Sequence, residues 1–180
     1  MTPEIAEPGE ILLSAEEIQA RITELGAQIT KDHQCVESLL LVGVLKGAMM
    51  VMADLARAID LPVELDFMAV SSYGNSTKTS GVVRIVKDLD IDLAGRHVLI
   101  VEDIVDSGLT LSFLRRTFLA RHPASLEVAA LLVREGRQKA EDDLEYVGFE
   151  IPPEFVIGYG LDVAERYRNL PNIHRYTPPS

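Results

Sequence analysis

A single cysteine, Cys35, is present in the 180-residue chain, so no disulfide can form within it. Long hydrophobic runs are also missing, and the longest, such as Leu39–Leu45, are far too short to span a bilayer. The N-terminal residues are acidic and include proline, unlike the basic and then apolar start of a secretory signal. These absences predict a soluble, cytoplasmic protein with no membrane partner.

Basic residues are scarce: 17 Lys and Arg face 28 Asp and Glu, which gives a formal net charge of -11. No block of consecutive Lys or Arg supplies the basic stripe that neutralises nucleic-acid phosphates. We therefore expect no nucleic-acid partner, although a local basic patch could bind a small phosphorylated substrate. The hydrophobic content of 47% is ordinary for a globular protein, and the length suits a single domain over residues 1–180.

Buried-strand patterns alternate with helical patterns along the chain. Helices are predicted after the capping box of Ser14 and Glu17, from the turn at Lys46-Gly47 to about Ala58, and from about Thr110 to Arg121. Strands are predicted at Leu39–Leu45, Val63–Val70, Val82–Val86, His97–Val101 and Leu126–Val133. Fully apolar strands between helices indicate an α/β fold with a mostly parallel sheet flanked by helices. Such sheets bind ligands beyond the carboxyl ends of their strands.

The most informative segment lies after the predicted strand His97–Val101. Two adjacent carboxylates, Glu102 and Asp103, come directly after this strand, and Asp106 follows three residues later. The next helix then opens with Ser107, Gly108 and Thr110. Hydroxyls and free backbone N–H groups at a helix start favour a phosphate, and glycine lets the backbone approach it closely. Carboxylates beside a phosphate would repel it unless a sugar diol or a cation such as Mg²⁺ lies between them.

This segment resembles the phosphoribosyl pyrophosphate (PRPP) motif of the type I phosphoribosyltransferases, in the form found in hypoxanthine-guanine enzymes. Three other segments resemble further parts of that family. Leu45-Lys46-Gly47 is similar to its pyrophosphate loop, and Ser72-Tyr73-Gly74 begins a polar segment, Ser71–Gly81, that is similar to its mobile lid. The segments that resemble its purine-binding hood are Val147–Pro152, Phe155–Asp162 and Arg166–Pro171. The resemblance implies the type I fold, with a small hood subdomain formed by the N-terminal segment and about 134–180.

The resemblance also implies roles for the residues that bind PRPP. Glu102 and Asp103 would hold the ribose hydroxyls and Mg²⁺, and Asp106 would be the general acid/base at purine N7. The 5'-phosphate would bind to Ser107, Gly108, Leu109 and Thr110. The pyrophosphate would bind to Lys46, Gly47 and Arg168. In the family the peptide before Lys46 can be cis.

The purine site implied by the resemblance lies between two walls. Phe155 would stack on the base with Val156 supplying backbone contacts, and Ile104 would form the opposite wall. Asp162 would complete the purine side and lie near a second Mg²⁺. One position departs from the family, because Arg134 stands where a lysine usually donates to the purine 6-oxo group. Arginine also donates there, but it is planar and bulkier, and adenine would still present a donor against it.

The resemblance therefore implies a Mg²⁺-dependent purine-salvage enzyme. It would transfer 5-phosphoribosyl from PRPP to hypoxanthine or guanine, giving IMP or GMP and pyrophosphate, and would act as a homodimer or homotetramer. Three alternatives stay open. The enzyme could prefer another base such as xanthine, the chain could be a regulatory protein that kept only the PRPP fold, or it could be a Rossmann domain. The sequence contains no Gly-x-Gly-x-x-Gly signature, which argues against the Rossmann domain.

Overall fold

The computed structural model describes residues 5–73, 82–136 and 144–179. Its helices are α1 (Ala15–Asp32), α2 (Met49–Ala58) and α3 (Leu109–Leu119). Its strands are β1 (Ile11–Leu13), β2 (Leu39–Leu45), β3 (Val63–Tyr73), β4 (Val82–Lys87), β5 (His97–Val105), β6 (Ser125–Arg134), β7 (Tyr146–Ile151), β8 (Val156–Ile157) and β9 (Ile173–Arg175).

Two sheets organise these strands. The larger has the order β4-β3-β2-β5-β6-β7, in which β4 is antiparallel to β3 and the other neighbours are parallel. The smaller has the order β1-β9-β8 and is antiparallel. This confirms the predicted α/β class with a mostly parallel sheet flanked by helices. No helix in the described part of the chain is long and apolar enough to cross a membrane.

The core lies on both faces of the large sheet. Along β2, Leu39 and Leu41 are buried with residues of α1 and α2, whereas Leu40 and Val42 are buried with residues of α3. Successive side chains of a strand point to opposite faces, so a central strand covered on both sides must be apolar throughout. The continuous apolar runs of the sequence are therefore explained by helices on both faces.

Helix α1 begins as its sequence predicts. The Ser14 Oγ accepts a hydrogen bond from the Glu17 N–H at 3.2 Å, and the Glu17 carboxylate accepts one from the Ser14 N–H at 2.8 Å. These reciprocal bonds form a capping box, which satisfies N–H groups that the helix leaves unpaired. The buried face of α1 consists of Ile18, Ile22, Leu25, Gly26 and Ile29.

Two strands extend further than their apolar runs predict. β3 continues past Val70 to Tyr73, because its polar end pairs with β4 and so keeps its backbone hydrogen bonds. β5 continues past Val101 to Val105, because β6 pairs with it beyond the apolar run. The prediction that the acid pair follows the strand was therefore wrong: Glu102 and Asp103 lie inside β5.

The two ends of the chain meet in the small sheet. The N–H of Gly9 donates to the carbonyl of Arg175 at 2.9 Å, and β1 pairs with β9. The N-terminal segment is therefore held, at its described end, by partners about 165 residues away in sequence. Within the segment that resembles the hood, residues 146–151 form the sixth strand of the large sheet and pair with β6.

Candidate active site

The predicted site residues meet at one edge of the large sheet. Lys46 follows β2, Asp106 follows β5, and Arg134 ends β6. These three strands are parallel neighbours, so their carboxyl ends lie side by side. Phe155 follows β7, the next strand along. Segments far apart in sequence are thus brought to the same edge, which is the expected location for a ligand in a parallel sheet.

The acid pair of β5 is deeply buried. Glu102 is only 6% exposed, and burial followed by the charge of Asp103 raises the pKa of its carboxyl well above the usual value. Burial also raises the pKa of Asp103, although the N–H of Ile104, at 2.7 Å from Oδ1, and the charge of Arg168 act in the opposite direction. Two neighbouring carboxyls that resist ionisation favour a ligand that supplies positive charge or hydroxyl donors.

The donor chemistry of this edge fits Mg²⁺. The negative charge of Asp162 also acts on Asp103, so three carboxyls lie near one another. In the described residues, no three His, Cys, Asp or Glu side chains are grouped closely enough to hold a metal ion by themselves. Mg²⁺ is typically held by one or two carboxylates together with water and substrate phosphates, so a compact protein cluster is not required.

A pocket of about 110 Å³ lies between the end of β5 and the start of α3. Its lining residues are Glu102, Ile104, Val105, Asp106, Ser107, Gly108, Thr110 and Leu111. Gly108 adopts a left-handed φ of 80°, a conformation that side chains disfavour, and it gives α3 no side-chain cap. Leu109 has a half-exposed side chain, and its N–H lies 3.4 Å from the Ser107 Oγ. An anion in this pocket would meet hydroxyls and the N-terminus of a helix.

The loop after β2 lies directly against the acid pair. The Leu45–Lys46 peptide bond is cis. A Cβ added to Gly47 would overlap the Asp103 carboxylate, and one added to Gly160 would overlap the Gly47 carbonyl. Glycine is therefore required at both positions by close packing. The loop that carries Lys46 and Gly47, strand β5 and the hood segment at Gly160 therefore contact one another at this point.

Two cations of the site share one carboxylate. The Lys46 Nζ lies 2.8 Å from the Glu165 Oε2, and the Arg168 Nη2 lies 3.2 Å from the Glu165 Oε1. Arg168 also pairs with Asp162 at 3.1 Å and donates to the Gly160 carbonyl at 2.7 Å. The hydrogen bonds from Lys46 and then Arg168 lower the pKa of Glu165. Sequence reasoning missed Glu165, whose only signal is its place between two residues of the family motif.

The segment that carries these groups has an unusual backbone. Tyr159, Ala164, Glu165 and Tyr167 have φ values of 50°, 48°, 65° and 75°. Left-handed conformations cost free energy in residues other than glycine, and they concentrate at functional sites where surrounding contacts hold them. One such contact is the hydroxyl of Tyr159, which donates to the Asp54 carboxylate of α2. Tertiary contacts therefore hold this part of the hood on the helix that follows the Lys46 loop.

The base side of the site is joined to Asp106 through Arg134. The Arg134 Nε lies 3.3 Å from the Asp106 Oδ1, and its Nη1 donates to the carbonyl of Glu154. The next residue, Phe155, is 46% exposed, and its ring packs against Tyr176 with centroids 5.6 Å apart. An exposed aromatic ring close to the Arg134–Asp106 pair provides a stacking surface for a planar ligand.

Two further groups of predicted residues lie in strands. Val156 is buried in β8 with 4% exposure and pairs with Arg175, so its backbone rather than its side chain is the part suited to contact a ligand. The backbone of Ser72 and Tyr73 belongs to the end of β3. The rest of the predicted lid, residues 74–81, lies outside the described residues.

Comparison with known proteins agrees with this geometry. A family model described as a phosphoribosyl transferase domain matches residues 9–164. The hypoxanthine-guanine phosphoribosyltransferase of Mycobacterium avium is 56% identical over 179 residues, covering 95% of this chain and 88% of that protein. The hypoxanthine phosphoribosyltransferase of Haemophilus influenzae is 53% identical over 163 residues, covering 89% of this chain and 91% of that protein.

Comparison with a solved structure identifies the same kind of enzyme. The crystal structure of a hypoxanthine-guanine phosphoribosyltransferase from Bacillus anthracis superposes with a TM-score of 0.90 at 45% identity, covering 95% of this chain and 100% of the other. The predicted fold, family and enzyme class are thereby confirmed. The chain belongs to the phosphoribosyltransferase family, and within it to the hypoxanthine-guanine enzymes.

Proposed function

We propose that this enzyme transfers the 5-phosphoribosyl group of PRPP to hypoxanthine or guanine, giving IMP or GMP and pyrophosphate, in purine salvage. One observation carries the proposal. Asp106 lines the same pocket as the buried Glu102 and pairs with Arg134, and Arg134 donates to the backbone carbonyl next to Phe155. This arrangement supports a proton-accepting role for Asp106 between a sugar-phosphate site and a stacking surface for the base.

The PRPP end of the site is proposed to use the residues of β5 and α3. Ser107, Gly108, Leu109 and Thr110 bind the 5'-phosphate, since hydroxyls and the start of α3 lie at the pocket. Glu102 and Asp103 accept hydrogen bonds from the ribose hydroxyls. Mg²⁺ bound to Glu102, Asp103 and Asp162 with the substrate oxygens would supply charge neutralisation at the pyrophosphate.

The leaving group is proposed to meet the two cations now held by Glu165. As the bond between ribose C1' and pyrophosphate breaks, negative charge builds on the departing oxygen. Lys46 and Arg168 stabilise that charge, and the N–H of Gly47 lies in the loop that faces it. Lys46 and Glu165 form an ion pair in which both side chains are more than 60% exposed. An incoming diphosphate can therefore replace Glu165 as the partner of Lys46 at a small cost in free energy.

The base is proposed to lie between Phe155 and Ile104, with Val156 providing backbone contacts. Arg134 donates to the 6-oxo group, and adenine is rejected because it presents an amino donor at that position. Purine N9 forms the new bond to C1', and Asp106 accepts the proton at N7 as the ring becomes positively charged. The overall reaction converts the base and PRPP to a nucleoside monophosphate and pyrophosphate.

The segment Ser71–Gly81 is proposed to act as a lid, with Ser72 and Tyr73 closing over bound PRPP and excluding water. Support comes from the family resemblance and from β3, which leads into this segment at the edge of the sheet next to β2. Hydrolysis of PRPP in the absence of base measures the exclusion of water. A Tyr73→Ala enzyme with unchanged turnover and no added hydrolysis would refute the lid.

We also propose that residues 1–180 form one domain, with a hood built from the N-terminal segment and about 134–180, and that it assembles as a homodimer or homotetramer in the cytoplasm. Exposed Leu65 and Val86, on the neighbouring strands β3 and β4, support an interface between copies. The exposed free thiol of Cys35 suits a reducing compartment. Light scattering that gave the 19.8 kDa monomer mass would refute the assembly.

The test of the proposed function is an absorbance assay with PRPP, Mg²⁺ and each of hypoxanthine, guanine, xanthine and adenine. We expect conversion of hypoxanthine and guanine, loss of activity when a chelator removes the metal, and turnover of adenine at least about a hundredfold lower because donor would meet donor. A marked preference for xanthine would transfer the assignment to a different base class. Absence of pyrophosphate release with every base would refute the proposal.

A further inference from the structure

Arg134 contacts both Asp106, which follows β5, and the backbone of Glu154 in the hood segment. We infer that Arg134 is a positioning residue for Asp106, in addition to its proposed contact with the purine 6-oxo group. Through one guanidinium it holds the Asp106 carboxylate and the Glu154–Phe155 backbone in a fixed relation. The inference rests on the proposed function, because it concerns how the base site and the proton acceptor of that reaction are aligned.

The two partners of the ion pair differ in how firmly they are held. The Arg134 side chain is 19% exposed and its Nη1 donates to the Glu154 carbonyl, whereas the Asp106 side chain is 71% exposed. The guanidinium is therefore fixed by strand β6 and the hood backbone, and the carboxylate is the movable member. Without Arg134, the Asp106 side chain would be free to rotate into solvent.

The contact is close but incomplete. Nε and Oδ1 are 3.3 Å apart, yet the buried Nε–H has no well-aligned hydrogen-bond acceptor among the described residues. A buried donor without an acceptor costs free energy, so the arrangement favours an approach of the Asp106 carboxylate toward Nε. Catalytic hydrogen bonds are often long in the free enzyme and shorten when substrate binds.

Arginine can perform both tasks because its donors lie on three nitrogens. Nε faces Asp106, Nη1 binds the Glu154 carbonyl, and Nη2 makes no comparable bond to any described residue. Nη2 is therefore the donor left for the purine oxygen. A lysine carries all its donors on one nitrogen and cannot hold three acceptors in these fixed directions. The substitution Arg134→Lys thus separates base recognition from the positioning of Asp106.

Steady-state kinetics of Arg134→Lys test the inference. The lysine keeps the charge and one donor for the 6-oxo group, so we expect KM for hypoxanthine to stay within about threefold of the wild-type value and adenine to remain excluded. We expect kcat to fall about tenfold, because a small misplacement of a reacting group already slows the chemical step. The matched control is Arg121→Lys, which changes another arginine paired with an aspartate, Asp88, far from the site; its kcat should be unchanged.

A second background makes the test specific for Asp106. If Arg134 acts on turnover through that carboxylate, Arg134→Lys should lower kcat less than about twofold in an Asp106→Asn enzyme, since coupled residues are not additive. Equal factors in both backgrounds, or a raised KM with unchanged kcat in the single variant, would overturn the inference. Thermal unfolding of each variant shows whether it is folded. An inactive wild-type enzyme would instead refute the proposed function, so the two failures are distinguishable.

Discussion

Replacing Asp106 by asparagine is expected to lower kcat by about a hundredfold or more, because removal of a general acid/base typically costs a factor of ~10² to 10⁴. Asparagine keeps the size and polarity of the side chain but does not accept the proton from purine N7. The Asp106 side chain is 71% exposed, so its replacement should leave the fold intact. The affinity for PRPP should change much less than kcat, since the phosphate and ribose contacts are made by other residues.

Initial rates with saturating PRPP and hypoxanthine measure this effect, and PRPP binding measured separately shows that the sugar-phosphate site is intact. The matched control is Asp60→Asn, which removes one negative charge from an exposed aspartate after α2. This control should have wild-type kcat. An Asp106→Asn enzyme with kcat within about twofold of wild type would exclude Asp106 as the proton acceptor, since general acid/base catalysis contributes far more.

Replacing Gly47 by alanine is expected to lower kcat/KM for PRPP by about a hundredfold, since displacements near 1 Å at a reacting centre have effects of that size. The added methyl group would overlap the Asp103 carboxylate. Either the carboxylate or the loop that carries Lys46 must then move, and both are proposed to contact PRPP. The hood offers no space for the loop, because Gly160 packs against the Gly47 carbonyl.

The control for this substitution is Gly95→Ala. Nothing lies within 4 Å of a Cβ added there, although the φ of 71° is strained for alanine. This variant should lose some stability and keep its kcat/KM, which separates a general effect of strain from a specific contact with Asp103. Unchanged kcat/KM in Gly47→Ala would mean that the loop and the acid pair do not cooperate in PRPP binding.

The strand-tip part of the site could be predicted from sequence because it is local. Glu102, Asp103 and Asp106 lie within five residues on one strand and its loop, so an apolar run followed by acids and a glycine identifies them. Even there, the apolar run predicts an end of β5 at Val101, whereas the strand continues to Val105. Whether a polar residue continues a strand depends on pairing with β6, which is a contact between distant segments.

The contacts between segments could not be predicted from residue patterns. The pairing of Glu165 with Lys46 joins residues 119 positions apart, and no local periodicity encodes it. The three-residue strand β1 carries too few side chains to show a period and forms only because β9 is present. The left-handed backbone of the non-glycine residues in the hood is likewise set by tertiary contacts, such as that of Tyr159 with Asp54, so the residue types do not reveal it.

The central claim is that a phosphate site at α3 and a base site at Phe155 belong to one ligand. IMP carries both groups, so calorimetric titration of IMP into wild type, Ser107→Ala and Phe155→Ala tests the claim directly. We expect one site per chain and a loss of about tenfold or more in affinity for each variant, since base stacking alone is worth ~1–3 kcal/mol. If Phe155→Ala bound IMP as tightly as wild type while Ser107→Ala did not, the base would lie elsewhere and the claim would be contradicted.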